Sequence, residues 1–348
     1  MTFMIYGVTG YTGKLVSRAA KDMGLDPVLA GRDPQKLRGV AEPLGLDHAA
    51  FALSDTAALD RQLSVVDLVL NIAGPFVHSA KPMLDACFRT GTHYADVTGE
   101  IDVFETIARR HNEAVEGGIT VMPGVGFDVV ASDCLAAHVE ERLPATSRLL
   151  LAFGGMGEMS RGTAKTAIET IDQSSRVRRD GRIVQLEQPF FTSIDFGNGP
   201  TECVAISWGD IATAYHSTGI ADITTVFEAT KQLRQAIGLP AYLRRLLGTG
   251  IGKAVLRRQV DKRPEGPDTA ALAAGQATII AVAEADDGSQ ATAKLTTPAP
   301  YALTAQTALE AARRIIAGEV GAGYYTPSQA FGADFITGFA GCTRQDLN

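Results

Sequence analysis

Paired cysteines are missing from this chain. Its four, Cys87, Cys134, Cys203 and Cys342, stand far apart in 348 residues, which excludes a disulfide framework and the short spacings of a zinc knuckle. No apolar run approaches the roughly 20 residues that a membrane span needs. A positive excess is also absent: 32 Lys and Arg stand against 39 Asp and Glu, for a net charge of −7, so general affinity for nucleic acid is not expected. There is no internal repeat, no low-complexity segment and no His/Cys set with metal-ligand spacing. Neither a Tyr-x-x-x-Lys nor a Ser-His-Asp arrangement stands out. What remains is the composition of an ordinary globular enzyme, 45% hydrophobic and 20% charged, long enough for about two domains and a substantial core. A first strand starting at residue 3 leaves no room for a signal peptide, and a reducing cytoplasm is the expected location.

The chain is organised around its first thirteen residues. Phe3-Met4-Ile5-Tyr6 is an apolar run of core-strand length, and Leu15, Val16, Ala19, Ala20 and Met23 recur at helical spacing after it. Between them lies Gly7-Val8-Thr9-Gly10-Tyr11-Thr12-Gly13. Strand, glycine turn and helix together are the context of a dinucleotide site. Gly7 permits the tight turn, Gly10 lets backbone approach a pyrophosphate, and Gly13 allows close helix–strand packing. The helix N-terminus then faces the anion. The spacing, G-x-x-G-x-x-G, is a variant of the usual device; the competing reading is a glycine turn that binds nothing.

The end of the second strand, Pro27-Val28-Leu29-Ala30, indicates which nucleotide. An NAD site places an acid there for the ribose hydroxyls. Here the position is Gly31, which removes the carboxylate and its repulsion of a phosphate. Arg32 follows, with a planar donor fork suited to the 2′-phosphate of NADP(H), unless it is simply a surface charge at a loop end.

Strands and helices then alternate strictly. Asp33-Pro34 opens a helix that ends at Gly45, Val65–Asn71 is a buried strand, and Asn71-Ile72-Ala73-Gly74-Pro75-Phe76 is a loop at the carboxyl edge of the sheet. Ala73, Gly74 and Pro75 are candidates for the nicotinamide half of the cofactor. Strands at Thr92–Val97 and Ile119–Met122 complete an N-terminal Rossmann fold, a doubly wound parallel sheet, over residues 1–145. Past Pro144 the runs Leu149–Phe153, Arg182–Glu187, Phe190–Phe196, Cys203–Trp208, Ile223–Phe227, Ala277–Ala285 and Ala291–Thr297 predict a second α/β domain over 146–299. Its sheet is mixed or antiparallel, with a hairpin at Asp286-Asp287-Gly288-Ser289. Residues 300–348 are candidates to return to the first domain.

Gly7–Gly13, Ala30-Gly31-Arg32, Gly74-Pro75-Phe76, Gly91–Glu100 and Gly126-Phe127-Asp128 together resemble the saccharopine dehydrogenase-like oxidoreductases. Within that group the chain is most similar to trans-acting enoyl reductases. The resemblance is dense over residues 3–135 and patchier beyond. It implies a Rossmann domain with NADP(H), a second α/β domain that pairs subunits into a homodimer, and reduction of a C=C or imine/carbonyl bond of a small molecule. Enoyl reduction in lipid or polyketide synthesis is the specific alternative, and a non-catalytic NADP(H)-sensing protein is the rival from another class. Ala131 stands where Pro is usual before Ser132-Asp133.

The richest chemical cluster is His93, Tyr94, Asp96 and Glu100, at the edge where such sheets hold ligands. Alternation puts Tyr94 and Asp96 on one side of the strand and His93 on the other. Tyr94, Asp96 and Asp128 are the candidate proton donors. Glu100 can instead open the following helix as a charge near its dipole, and Asp128 can instead cap the helix carrying Val129 and Val130. No metal site is expected.

One stretch is out of character for an acidic chain. From Lys231 to Arg263 nine cations are opposed only by Asp261, with Leu243, Leu246, Leu247, Ile251, Ala254 and Val255 at helical spacing. Gly248, Gly250 and Gly252 interrupt it. A solvated helical face is the ordinary explanation; an acidic carrier protein or an anionic membrane surface is the partner that residues 231–263 would otherwise take.

Overall fold

The computed structural model describes residues 2–348. The chain folds as two compact units, Met1–Val130 with Tyr301–Phe331, and Ala131–Pro300 with Gly332–Asn348. The first boundary lies inside helix Phe127–Arg142, well before the exit expected at residue 145. Val129, Val130, Ala131, Cys134, Leu135 and Ala136 are all fully buried. No exposed stretch of the helix therefore marks the junction, Ser132 and Asp133 being buried as well, and Pro144 only follows its end. The C-terminal segment is divided, one part joining each unit.

The first unit is a parallel sheet of β1 (Phe3–Tyr6), β2 (Val28–Gly31), β3 (His48–Ala50), β4 (Leu68–Asn71), β5 (His93–Asp96) and β6 (Thr120–Met122), extended by the short strand Gly323–Tyr324. From one edge to the other the order is Gly323–Tyr324, β6, β5, β4, β1, β2, β3. β1 and β4 are buried on both faces, which is why they read as unbroken apolar runs. Ile5, Leu29 and Leu70 pack into one core layer; Met4, Tyr6 and Val69 pack into the other. The helix Pro300–Ile316 supplies Leu309, Ala312 and Ile315 to the first layer. That contribution explains the return of the chain after residue 300. The strand order reverses between β1 and β4, so a crevice opens beyond their carboxyl ends.

The second unit is a mixed sheet of β7 (Thr146–Gly154), β8 (Arg176–Arg179), β9 (Arg182–Gln185), β10 (Phe191–Asp195), β11 (Pro200–Ala205), β12 (Asp222–Glu228), β13 (Gln276–Ala285) and β14 (Gln290–Pro298). Its main path runs β10, β11, β12, β7, β13, β14 and then the terminal strand Thr343–Asp346. β12 and β7 are parallel, and the other pairs are antiparallel. The hairpin at Asp286–Ser289 forms, with Gly288 at φ +85°. A second hairpin was not expected: β8 and β9 turn at Asp180-Gly181, both left-handed at φ 48° and 72°. An Asp-Gly pair is the sequence signal for such a turn, but the flanking arginines obscure the strand. Helices Lys231–Ile237, Ala241–Gly248 and Gly250–Val260 follow β12.

Candidate functional site

The glycine turn after β1 contains glycines of two kinds. Gly7 lies at φ +98°, and a Cβ there would fall 2.8 Å from the Ala73 nitrogen. Its amide donates to the Ala30 carbonyl at 2.9 Å. A Cβ on Gly13 would fall 2.5 Å from the Gly7 oxygen and the Val8 Cα. Both glycines are therefore demanded by the protein's own packing: the turn closes on the loop after β4, and the helix seats on the turn. Gly10 differs. Its φ is −82°, and an added Cβ would meet only the Gly7 oxygen, at 3.5 Å. The protein's packing does not call for a glycine there; the bare Cα keeps the approach to the helix N-terminus open.

Helix Tyr11–Asp22 begins at that point with no side-chain cap on Gly10 and no acid in its first turn. Its positive end is electrostatically suited to an anion. Thr9, Tyr11 and Thr12 are half-buried beside it, and the Tyr11 ring meets the edge of Tyr301, 5.2 Å between centroids. The helix Phe76–Thr90, which starts across the crevice, is treated in the opposite way. Glu100 Oε1 and Oε2 accept from the Phe76 and Val77 amides at 2.7 and 2.8 Å. Its positive end already holds a carboxylate. The Glu100 side chain thus caps this helix, while its backbone opens helix Ile101–Ala108 at the N-cap position without a side-chain cap bond there. Ala73, Gly74 and Pro75 form the loop between these elements, with the Ala73 amide donating to Asn71 Oδ1 at 3.1 Å and the Gly74–Pro75 peptide cis.

At the end of β2, Gly31 is buried, and a Cβ there would touch only Thr9 Cγ2, at 3.8 Å. Arg32 is exposed and has no ion pair among the described residues. The one nearby acid in sequence, Asp33, is committed: its Oδ1 accepts from the Gln35 and Lys36 amides, each at 3.1 Å. Those amides hold its carboxyl below the usual range. The strand end therefore offers a cation without a competing acceptor.

The candidate proton donors separate into two groups. The Tyr94 hydroxyl donates to Asp96 Oδ2 at 2.6 Å, and Asp96 Oδ1 accepts from the Thr98 and Gly124 amides at 2.9 and 3.0 Å. Asn71 Nδ2 reaches Ser79 Oγ at 3.3 Å and the Tyr94 hydroxyl at 3.5 Å. Tyr94 and Asp96 are fully buried. Burial pushes the Asp96 carboxyl up to about 6, against the opposing hydrogen bonds, and lifts the Tyr94 phenol well above its ordinary value. This pair is enclosed by protein and ties the loops after β5 and β6 together. Its position departs from the expected pocket lining, because the side of β5 that carries it faces the helix layer. Asn71 was missed as part of this network; a buried amide at the carboxyl end of a strand was the available signal. His93 faces the other way, its Nδ1 accepting from the Thr120 amide at 2.9 Å, and burial lowers its pKa.

Asp128 belongs to the second group. It keeps some exposed surface in the first turn of helix Phe127–Arg142. At the start of that helix the Phe127 amide donates to Thr304 Oγ1 at 3.0 Å. The Asp128 carboxyl packs on Gly99, where a Cβ would fall 3.2 Å from Oδ2. Protein enclosing that carboxyl strips its hydration and pushes its pKa up to about 7. Of the three acidic candidates it alone combines surface with a proton held near neutral pH. Among the described residues no group of His, Cys, Asp and Glu has the geometry of a metal site. Likewise, no helix there is long and apolar enough to cross a membrane.

Comparison with known proteins bears on this arrangement. Residues 3–122 match the family model described as the saccharopine dehydrogenase NADP binding domain. A trans-acting enoyl reductase of Mycobacterium ulcerans is 33% identical over 147 residues, 40% of this chain and 35% of that protein. A putative trans-acting enoyl reductase of Mycobacterium tuberculosis is 30% identical over 211 residues, 57% of this chain and 50% of its own length. The chain thus spans about a third to a half of these curated relatives. Apo saccharopine dehydrogenase (L-Glu forming) of Saccharomyces cerevisiae aligns over the full length of both chains with a TM-score of 0.65 at 13% identity, a likeness of fold.

Proposed function

From the premise that residues 3–122 belong to the saccharopine dehydrogenase NADP-binding domain family, we propose that the protein is an NADP(H)-dependent oxidoreductase. It reduces a C=C or imine/carbonyl bond of a small molecule. The observation that carries this reading is the N-terminus of helix Tyr11–Asp22, which opens on Gly10 with no acid in its first turn, behind a glycine that the fold does not need. The backbone from Thr9 to Gly13 holds the pyrophosphate, and the Arg32 fork takes the 2′-phosphate that an acid at position 31 would repel. Ala73, Gly74 and Pro75 form the floor of the nicotinamide half. When bound, NADPH supplies the hydride.

The chain's own part in the chemistry is a proton. A hydride added to one atom of a double bond leaves charge on the other. Asp128, with a pKa of about 7, is matched to donate there at neutral pH. Tyr94 and Asp96 act by positioning, since they hold the loop that carries Gly99 against Asp128. Enoyl reduction is supported by the names of the curated relatives. The sensor reading draws on the burial of Tyr94 and Asp96, which leaves Asp128 as the one accessible acid of the three. A homodimer paired through the second unit accompanies either reading; Phe190 and Phe191, exposed at the edge strand β10, support it, and sedimentation would test it.

NADPH carrying deuterium at C4 distinguishes the readings. It should be incubated with enoyl thioesters, 2-oxo acids with amines, and simple carbonyls. Deuterium on a product carbon supports the reductase. Tight NADPH binding with no transfer to any class favours the sensor.

A further inference from the structure

Within the basic stretch 231–263, helices Ala241–Gly248 and Gly250–Val260 each turn large apolar side chains to solvent. Ala241–Gly248 and Gly250–Val260 meet at Thr249, whose hydroxyl donates to the Leu246 carbonyl at 2.7 Å and accepts from the Gly252 amide at 3.2 Å. The glycines make the corner compact. A Cβ on Gly252 would fall 2.5 Å from the Leu246 and Leu247 oxygens, and one on Gly248 would fall 2.4 Å from the Asp172 Cβ.

The inner face of Gly250–Val260 is anchored to helix Arg161–Glu169. Leu256 and Val260 pack against Ala164 and Ile168. Arg257 pairs with Glu169 at 2.6 Å, and Lys253 donates to the Glu169 carbonyl at 2.6 Å. Cations on this side are therefore consumed by structure. The opposite side is not. Tyr242, Leu246, Ile251 and Val255 are 74%, 62%, 82% and 48% exposed. Arg245, Arg258 and Lys262 are exposed with them at helical spacing, with no ion pair among the described residues. Large apolar side chains are seldom concentrated this way on a soluble surface without a use.

We propose that this face docks on an anionic lipid surface, with the four apolar side chains entering the headgroup boundary and Arg245, Arg258 and Lys262 meeting lipid phosphates. Charge complementarity favours this occupant. A second copy joined by the same face would oppose these cations to themselves. An acidic protein surface would match the cations and leave Ile251 and Leu246 in a polar setting. An anionic bilayer offers both phosphate and hydrocarbon.

The test is flotation of the full chain with vesicles of phosphatidylcholine, alone or mixed with phosphatidylglycerol. The wild type should float with the anionic vesicles and stay behind with the neutral ones. Each cation near such a surface contributes about fivefold, so the Arg245→Gln/Arg258→Gln/Lys262→Gln variant should bind about a hundredfold more weakly. Leu246→Ser/Ile251→Ser keeps every charge and should still lose about tenfold. All these positions are exposed, so both variants should melt with the wild type and retain NADPH binding, which keeps the result separate from the nucleotide reading. Absence of flotation overturns the proposal, as does binding that neither variant weakens. Capture of an acidic carrier protein without vesicle binding overturns it as well.

Discussion

Arg32→Ala is expected to weaken NADPH and leave NADH nearly untouched. Arg32 is exposed and makes no ion pair among the described residues. Its loss should thus change stability by no more than about 0.5 kcal/mol, the usual range for such surface positions. A charge-assisted hydrogen bond is worth about 1.5–3 kcal/mol. Solvent screening at an exposed site places Arg32 at the lower end. About 1.5 kcal/mol corresponds to roughly tenfold in Kd. NADH lacks the 2′-phosphate and should change by less than about twofold, since Arg32 then faces only ribose hydroxyls. Fluorescence titration of both nucleotides against both proteins measures the two ratios, and added salt should narrow the NADPH effect. Gly31→Asp extends the argument: the position has room for a Cβ, with Thr9 Cγ2 at 3.8 Å. A carboxylate there should reverse the preference toward NADH. Equal losses for the two nucleotides in Arg32→Ala would refute the assignment of Arg32 to the 2′-phosphate.

The glycine turn gives a paired prediction. Gly13→Ala drives a Cβ to within 2.5 Å of the Gly7 backbone and should cost about 1–3 kcal/mol of stability by overpacking. Gly10→Ala meets nothing closer than 3.5 Å, so it should melt like the wild type while losing NADPH affinity; differential scanning fluorimetry with and without nucleotide separates the two. Glu100→Ala removes the carboxylate from the Phe76 and Val77 amides and should lower stability by about 1 kcal/mol in urea melts. Asp96 and Asp128 bind their protons more tightly folded, at about 6 and about 7, than unfolded. Stability should therefore fall as pH rises from about 4 to about 7 and level off above. Asp128→Asn should flatten the upper part of that fall, and turnover should lose its decline through about pH 7 if Asp128 donates the proton.

The parts of this fold that were legible are those whose cause is local. A strand, a glycine turn and a helix lie within the first 23 residues, and the roles of Gly10 and Gly13 follow from their neighbours, whereas Gly7 is also pressed against Ala73 of the distant loop after β4. The helix opened by Asp33 and Pro34 and the hairpin at Asp286–Ser289 are short-range in the same way. The obscured parts depend on partners distant in sequence. Glu100 caps a helix 24 residues earlier in the chain, while its own position announces the start of the next helix. The Phe127 amide, at the start of the helix that carries Asp128, is taken by Thr304 from 177 residues away. The stripe Leu309, Ala312, Ile315 shows that Pro300–Ile316 must bury one face, but only the fold shows that this face completes the layer containing Ile5 and Leu70. Burial of Tyr94 and Asp96 has the same origin. Period-2 alternation correctly put them on one side of β5, and only the packed helix layer shows that side to be closed to solvent.

A crystal structure with NADP⁺ would test whether the first unit holds a hydride-transfer site. The pyrophosphate should lie on the amides of helix Tyr11–Asp22, the 2′-phosphate on Arg32, and nicotinamide C4 open to a pocket that contains Asp128. A C4 walled off from solvent, a pyrophosphate bound elsewhere, or crystals that take up no nucleotide would contradict it.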